Sequence, residues 1–154
     1  MAGWLGGAGL AETEIAAPFI RYSPWALVHE REPLDPVELA WQHGLDLRRR
    51  PVRRTFPHEL ALWEAAHARP ELRCLVPSTS HRMLRFRAAD EEHSRLVGGG
   101  VDPLPDGSYQ VRGLELPDPA PTTDPAEAIA VVVASVLRAE DRSVSEKHGD
   151  GSAS

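Results

Sequence analysis

The sequence predicts an α+β fold, with helices packed on an antiparallel sheet. Three observations lead there. Two Asp-Pro-x-Glu segments, Asp35–Glu38 and Asp124–Glu127, read as helix starts on either side of a run of strand patterns. Within that run, Met83 to Ala88 alternates Leu84, Phe86 and Ala88 with Arg85 and Arg87, the signature of a half-buried strand. Asp106-Gly107 signals a tight turn, and three prolines between Pro117 and Pro121 break the chain before the last helix.

The elements follow in order. Trp25 to Glu30 reads as a strand. A helix from Pro36 to His43 is capped by Asp35, with Pro36 at the first position and Glu38 facing the positive helix end. Val37, Ala40 and Trp41 follow at helical spacing, and Gly44 reads as the stop. A second helix spans Pro57 to Ala68, with Thr55 as cap, Leu60, Trp63 and His67 on one face, and Pro70 ending it. Leu72 to Val76 reads as a strand with Cys74 buried in its middle, and Ser78 to His81 as a turn. Ala89 to Val97 fits either a short acidic helix stopped by Gly98 or a loop leading into a strand. In a strand from Ser108 to Leu116, Tyr109, Val111, Gly113 and Glu115 share a face. The final helix, Pro125 to Glu140, carries a core stripe of Ile129, Val133, Val136 and Leu137.

The middle of this order fits the ferredoxin-like βαββαβ arrangement, followed by a C-terminal helix. The expected organisation is a flexible segment 1–16, a core 17–116, a linker 117–124, the helix 125–140 and a disordered tail 141–154. A length of 154 residues predicts one domain. The last helix has Val131, Val132 and Ala134 left over beside its core stripe, which predicts a homodimer that Val132→Glu would break.

Composition excludes several classes of protein. Hydrophobic residues at 42% and charged residues at 26% argue against a wholly disordered chain. A net charge of -6 argues against nucleic acid as a partner. A single cysteine, Cys74, excludes an internal disulfide and Cys-rich metal or iron–sulfur sites. The apolar N-terminus is broken by Gly3, Gly6, Gly7 and Gly9 and has no basic residue before it, so it does not read as a secretory signal. The longest apolar run, Ala128 to Leu137, is well short of the roughly 20 residues that span a bilayer. The expectation is a cytoplasmic protein without a membrane partner. The use of arginine almost throughout, with Lys147 the only lysine, suggests a bacterial gene of high GC content.

Charge is unevenly spread. Residues 48–87 hold ten arginines and three glutamates, inside an otherwise acidic chain. Arg48, Arg49, Arg50, Arg53 and Arg54 form the densest cluster, and Arg82, Arg85 and Arg87 a second one. Guanidinium groups fork onto carboxylate or phosphate, so the first cluster is the candidate site for an anionic metabolite or acidic peptide. The bland alternative is that these arginines neutralise the chain's own acids.

Catalytic signatures are thin. Glu64 and His67 form one Glu-x-x-His, but a di-metal centre needs a second copy. Asp90-Glu91-Glu92-His93 crowds carboxylates beside an imidazole, Ser78 to His81 puts hydroxyls beside another, and Glu115 sits near a strand end. Gly98-Gly99-Gly100 lacks the lysine of a phosphate loop. No cofactor or metal is expected. The reading is therefore an accessory protein that binds an anionic partner through the Arg48–Arg54 segment. The alternative is a small cofactor-free enzyme of peptide or secondary-metabolite biosynthesis, using Glu115, His81 and His93 as acid–base groups.

Overall fold

The first helix starts where Asp35 can cap it. The computed structural model describes residues 35–50, 57–89, 95–115 and 117–149. Helix α1, Pro36–Arg49, opens with the Asp35 carboxylate accepting the main-chain N–H groups of Val37 and Glu38, at 2.9 and 3.0 Å. It does not end at His43. Gly44 is buried inside the helix, because the Trp63 ring of the next helix rests on its α-carbon. A β-carbon at residue 44 would lie 2.0 Å from Trp63 Cζ3, so this glycine permits a close helix–helix approach and terminates nothing.

Helix α2, Pro57–His67, agrees with expectation, and Thr55 lies outside the described residues. Pro70 then opens a single turn, α3, Pro70–Arg73. This turn takes the place of the expected strand Leu72–Val76. Leu72 reaches the core from the turn, and Cys74 is exposed at its end instead of buried in a strand. Strand β1 is Val76–Ser80 and β2 is Met83–Arg87. They are joined by His81 and Arg82, at φ 52° and 78°, the left-handed pair that a two-residue hairpin turn demands. The turn thus falls after Ser80, and Ser78 to Ser80 belong to the strand.

Strand β3, Gly100–Pro103, and strand β4, Tyr109–Arg112, complete the sheet. Its order is β1-β2-β3-β4, every pair antiparallel. The turn before β4 is held by the Asp106 carboxylate, which accepts the hydroxyl and main-chain N–H of Ser108. Those hydrogen bonds hold the Asp106 carboxyl below its ordinary range. Strand β4 is shorter than the expected Ser108–Leu116, because Gly113 at φ 76° turns the chain away. Among the described residues the order is three helices, a four-strand meander and a last helix, so the βαββαβ option is not realised there. The expected strand Trp25–Glu30 and the segment Asp90–His93 lie outside the described residues.

Helix α4, Pro125–Gly149, runs nine residues beyond the expected end at Glu140, into the stretch expected to be a tail. Its buried seam is Ile129, Val132, Val133 and Val136, at the i, i+3, i+4, i+7 spacing. Val132 is 0% exposed and Leu137 45% exposed, the reverse of the expected roles. A stripe drawn one position too late assigns Leu137 to the core and Val132 to the surface.

One face of the sheet, with Leu84, Phe86, Val101, Tyr109 and Val111, packs on Trp41, Leu45, Leu62 and Trp63 of α1 and α2 and on the α4 seam. Trp41 Nε1 donates to the Leu75 carbonyl at 3.0 Å, and Tyr109 Oη donates to the His58 carbonyl at 2.8 Å. Burial pushes the Tyr109 phenol above its ordinary range, with the Asp124 charge adding to the effect. The other face of the sheet carries no helix of the described chain. Along the margin of β4, Tyr109 and Thr122 exchange main-chain hydrogen bonds of 2.7 and 3.0 Å, and the Gln110 side chain donates to the Pro119 carbonyl. At the other margin, pairing with β2 turns the main chain of Val76, Ser78 and Ser80 inward and that of Pro77 and Thr79 outward. No helix among the described residues is long and apolar enough to cross a membrane.

Candidate functional site

The arginines singled out in the sequence are used by the protein's own fold. Arg48 donates to the Gly44 carbonyl at 2.9 Å, lies 3.9 Å from Glu59 Oε2 and covers the Trp63 ring at 3.9 Å. Glu59 is a buried carboxylate, 6% exposed, and Arg82 approaches it at 3.9 Å from the hairpin turn. Arg49 reaches Glu64 at 3.7 Å and Arg50 reaches Asp46 at 3.3 Å. Arg53 and Arg54 lie outside the described residues.

Of the three acid–base candidates, the two among the described residues, His81 and Glu115, lie at opposite ends of the sheet. His81 is exposed in the β1–β2 turn, with Nδ1 3.5 Å from Ser80 Oγ. Glu115 lies past the C-terminal end of β4, and the antiparallel order puts that end of the sheet opposite the His81 turn. Gly113 has turned Glu115 off the core face, where it is exposed and ion-paired with Arg142 of α4. His93 lies outside the described residues. The Glu-x-x-His pair also separates. Glu64 faces Arg49, whereas His67 Nε2 lies 3.4 Å from Glu38, a carboxylate that Gln42 and Arg73 also approach. Among the described residues, no three His, Cys, Asp or Glu side chains are grouped to hold a metal ion.

The helix-free face of the sheet does assemble a site. Alternation sends Leu84 and Phe86 into the core and Arg85 and Arg87 outward. On β3 and β4 the same parity turns Gly100, Asp102, Gln110 and Arg112 outward. Gly100 pairs with Arg112, and Val101 with Leu84, so Arg85, Gly100 and Arg112 form a line across three strands. A β-carbon on Gly100 would lie 2.9 Å from Arg85 Cγ, so the glycine leaves room for the Arg85 side chain to lie across β3. The result is a depression of about 230 Å³, lined by Arg85, Leu96, Gly98, Gly100, Arg112 and Gly113.

Its electrostatics are one-sided. Asp102 is the only carboxylate in the four strands, against Arg85, Arg87 and Arg112. Arg112 Nε lies 3.5 Å from Asp102. Arg85 Nε meets the Met83 sulfur at 3.1 Å, and no carboxylate of the described residues pairs with Arg85. The partly buried Arg85 and the half-exposed Arg112 both line the depression, and their guanidinium groups suit an oxyanion by charge and by their paired N–H donors.

The two glycines before β3 have packing duties. Gly98, at φ 66°, lies so close to α4 that a β-carbon would meet Ser135 Oγ at 2.7 Å. Gly99 donates its N–H to Ser135 Oγ at 2.9 Å, and that hydroxyl donates to the Val132 carbonyl at 2.6 Å. On the α4 side of this loop lie two further open grooves. One, about 390 Å³, includes Arg138 and Arg142, and the other, about 560 Å³, includes Arg95, Leu96 and Val144.

Sequence reasoning grouped Arg85 with Arg87 but did not single it out as a site residue, and it missed Arg112 and Gly100. Parity alone separates Arg112 from the buried Tyr109 and Val111. Its meeting with Arg85 depends on the register of three strands, one of which, β3, has the poor strand sequence Gly-Val-Asp-Pro.

Residues 35–139 match the family described as "Family of unknown function (DUF6193)". That match starts at the cap of α1 and covers the sheet and the first fifteen residues of α4. No curated protein and no solved structure matches the chain.

Proposed function

The chain belongs to DUF6193, and for it we propose an accessory, anion-binding role carried by the open face of the sheet. The observation that supports this reading is the Arg85–Gly100–Arg112 line, a basic depression in strands that otherwise carry one carboxylate. The role is the one read from the sequence, moved from Arg48–Arg54 to the sheet. Arg48, Arg49 and Arg50 are each engaged by an acid of the same chain, as Arg112 is by Asp102, whereas Arg85 has no carboxylate partner among the described residues and sets the sheet site apart. At about 230 Å³ the basic depression is smaller than an ordinary substrate pocket, which favours holding a charged group over enclosing and transforming a ligand. A cytoplasmic setting accords with the single cysteine.

Titration calorimetry with citrate, a small polycarboxylate, tests the proposal. Binding is expected to weaken as salt rises, to vanish in Arg85→Ala/Arg112→Ala, and to persist in Arg49→Ala/Arg50→Ala. No binding by the wild-type protein, or loss only in the Arg49/Arg50 variant, would overturn the assignment.

A further inference from the structure

We infer that the partner of this face is an acidic peptide, bound as an added strand beside Leu96. The inference rests on the anion-binding reading and adds main-chain recognition to it.

The observation is a strand position that has no neighbour on one side among the described residues. Leu96 bridges Arg87 of β2, and the flanking hydrogen bonds are Ala88 N–H to the Arg95 carbonyl, 3.0 Å, and Val97 N–H to the Phe86 carbonyl, 2.9 Å. In an antiparallel pair this pattern alternates along the strand. It turns the Leu96 N–H and C=O away from β2, toward the side on which β4 would lie. Strand β4 does not reach them. Its ladder with β3 stops at Gly100 and Arg112; Gly113 then turns the chain and Leu114 lies against Gly99, so the cover ends short of Leu96. Among the described residues, nothing hydrogen-bonds to the Leu96 main chain. Leu96 is 42% exposed and lines both the Arg85–Arg112 depression and the larger groove on the α4 side.

A short strand laid along residues 95–97, beyond the Leu114 contact with Gly99, would exchange two hydrogen bonds with Leu96. Its side chains would alternate between the two faces of the sheet. Those on the open face come beside Leu96 and Arg112, within reach of Arg85. Those on the other face enter the grooves beside Arg138 and Arg142. Carboxylates therefore meet guanidinium groups on either face. The α4 side also holds Glu115, Glu140 and Glu146, so the open face, where Asp102 is the only acid in the strands, sets the preference for an acidic chain. A small anion would use Arg85 and Arg112 and leave Leu96 unpaired.

The probe is acetylated hexaglutamate amide, compared with citrate and with hexaglutamine. At saturation, hexaglutamate is expected to slow hydrogen exchange at the Leu96 amide of the wild-type protein by about tenfold, the effect of one new hydrogen bond, whereas citrate leaves it unchanged. Leu96→Pro, which removes the donor, should weaken hexaglutamate about tenfold and leave citrate binding intact. Because the exchange measurement uses the unaltered chain, a misfolded variant does not decide the outcome. If citrate binds at Arg85 and Arg112 but hexaglutamate leaves the Leu96 amide unprotected, the added strand is wrong and the anion site stands. If hexaglutamine binds as tightly as hexaglutamate, the acidic partner is wrong. If citrate fails to bind, the underlying anion-binding reading fails by itself.

Discussion

Gly44→Ala tests the close approach of α1 and α2. In a helix interior, exchanging glycine for alanine is worth about 1 kcal/mol in favour of alanine, so propensity alone predicts stabilisation. The structure predicts the opposite. The new β-carbon would meet Trp63 Cζ3, Cη2 and Cε3 at 2.0, 2.4 and 2.9 Å. The indole would have to retreat by about 1.5 Å to restore ordinary carbon contact. It has little room: Trp63 is 4% exposed, Trp41 lies edge-on at 5.7 Å, and the Arg48 guanidinium covers the ring at 3.9 Å. Overpacking of a filled core costs about 1–3 kcal/mol, and a shift of this size belongs at the upper end. The expected net loss is about 2 kcal/mol, or about 6 °C in Tm for a chain of this length. Urea unfolding followed by tryptophan fluorescence measures it. Trp63→Phe removes the outer ring atoms that clash, so Gly44→Ala in that background should be neutral or stabilising by up to about 1 kcal/mol. A gain of stability for Gly44→Ala in the wild-type background would refute the packing argument.

Arg48→Ala should destabilise by about 3 kcal/mol, because it uncovers Trp63 and leaves the buried Glu59 carboxylate only the half-exposed Arg82, while Arg49→Ala should cost under about 0.5 kcal/mol, as exposed pairs do. Equal effects in thermal melts would show that Arg48 is no more structural than its neighbours. The homodimer expectation now falls on Leu137 of α4, since Val132 is core. Val132→Glu should abolish cooperative unfolding, whereas Leu137→Glu should keep the wild-type melt and reduce the mass in light scattering to that of one chain. An assembly that survives Leu137→Glu would remove this helix face as the interface.

What could be read in advance was local. The capped start of α1, the helix α2 and the in–out alternation of β2 depend on neighbours within a few residues, and each matches the structure. Gly44 could not be read, because a glycine that ends a helix and one that admits a tryptophan ring look alike without the second helix. Leu72 to Val76 is too short an apolar run to separate a strand from a turn, and Pro70 decided it for the turn. The seam of α4 was misplaced because Val131, Val132 and Val133 are alike in character, and only the sheet beneath selects among them. The same holds for the site. The outward parity of Arg85 was legible, but its alignment with Gly100 and Arg112 is a property of register. Glu115 was assigned to the core face by extending strand parity past Gly113, whose positive φ cancels it.

The treatment of the sheet's two margins bears on how the protein behaves when crowded. A free margin offers a ladder of donors and acceptors on which identical chains can stack into fibrils. Here Pro77 removes a donor from one margin, and the 117–122 segment bonds to the other at Tyr109. Copies of the folded protein therefore meet a broken ladder at both margins, with only the Thr79 main chain and the Pro77 carbonyl turned outward along β1. That protection is only as durable as the Thr122 contact. Loosening it, for example by a proline at residue 122 that deletes its N–H, would expose β4, and aggregation would be expected to begin there, well below the temperature at which the core melts.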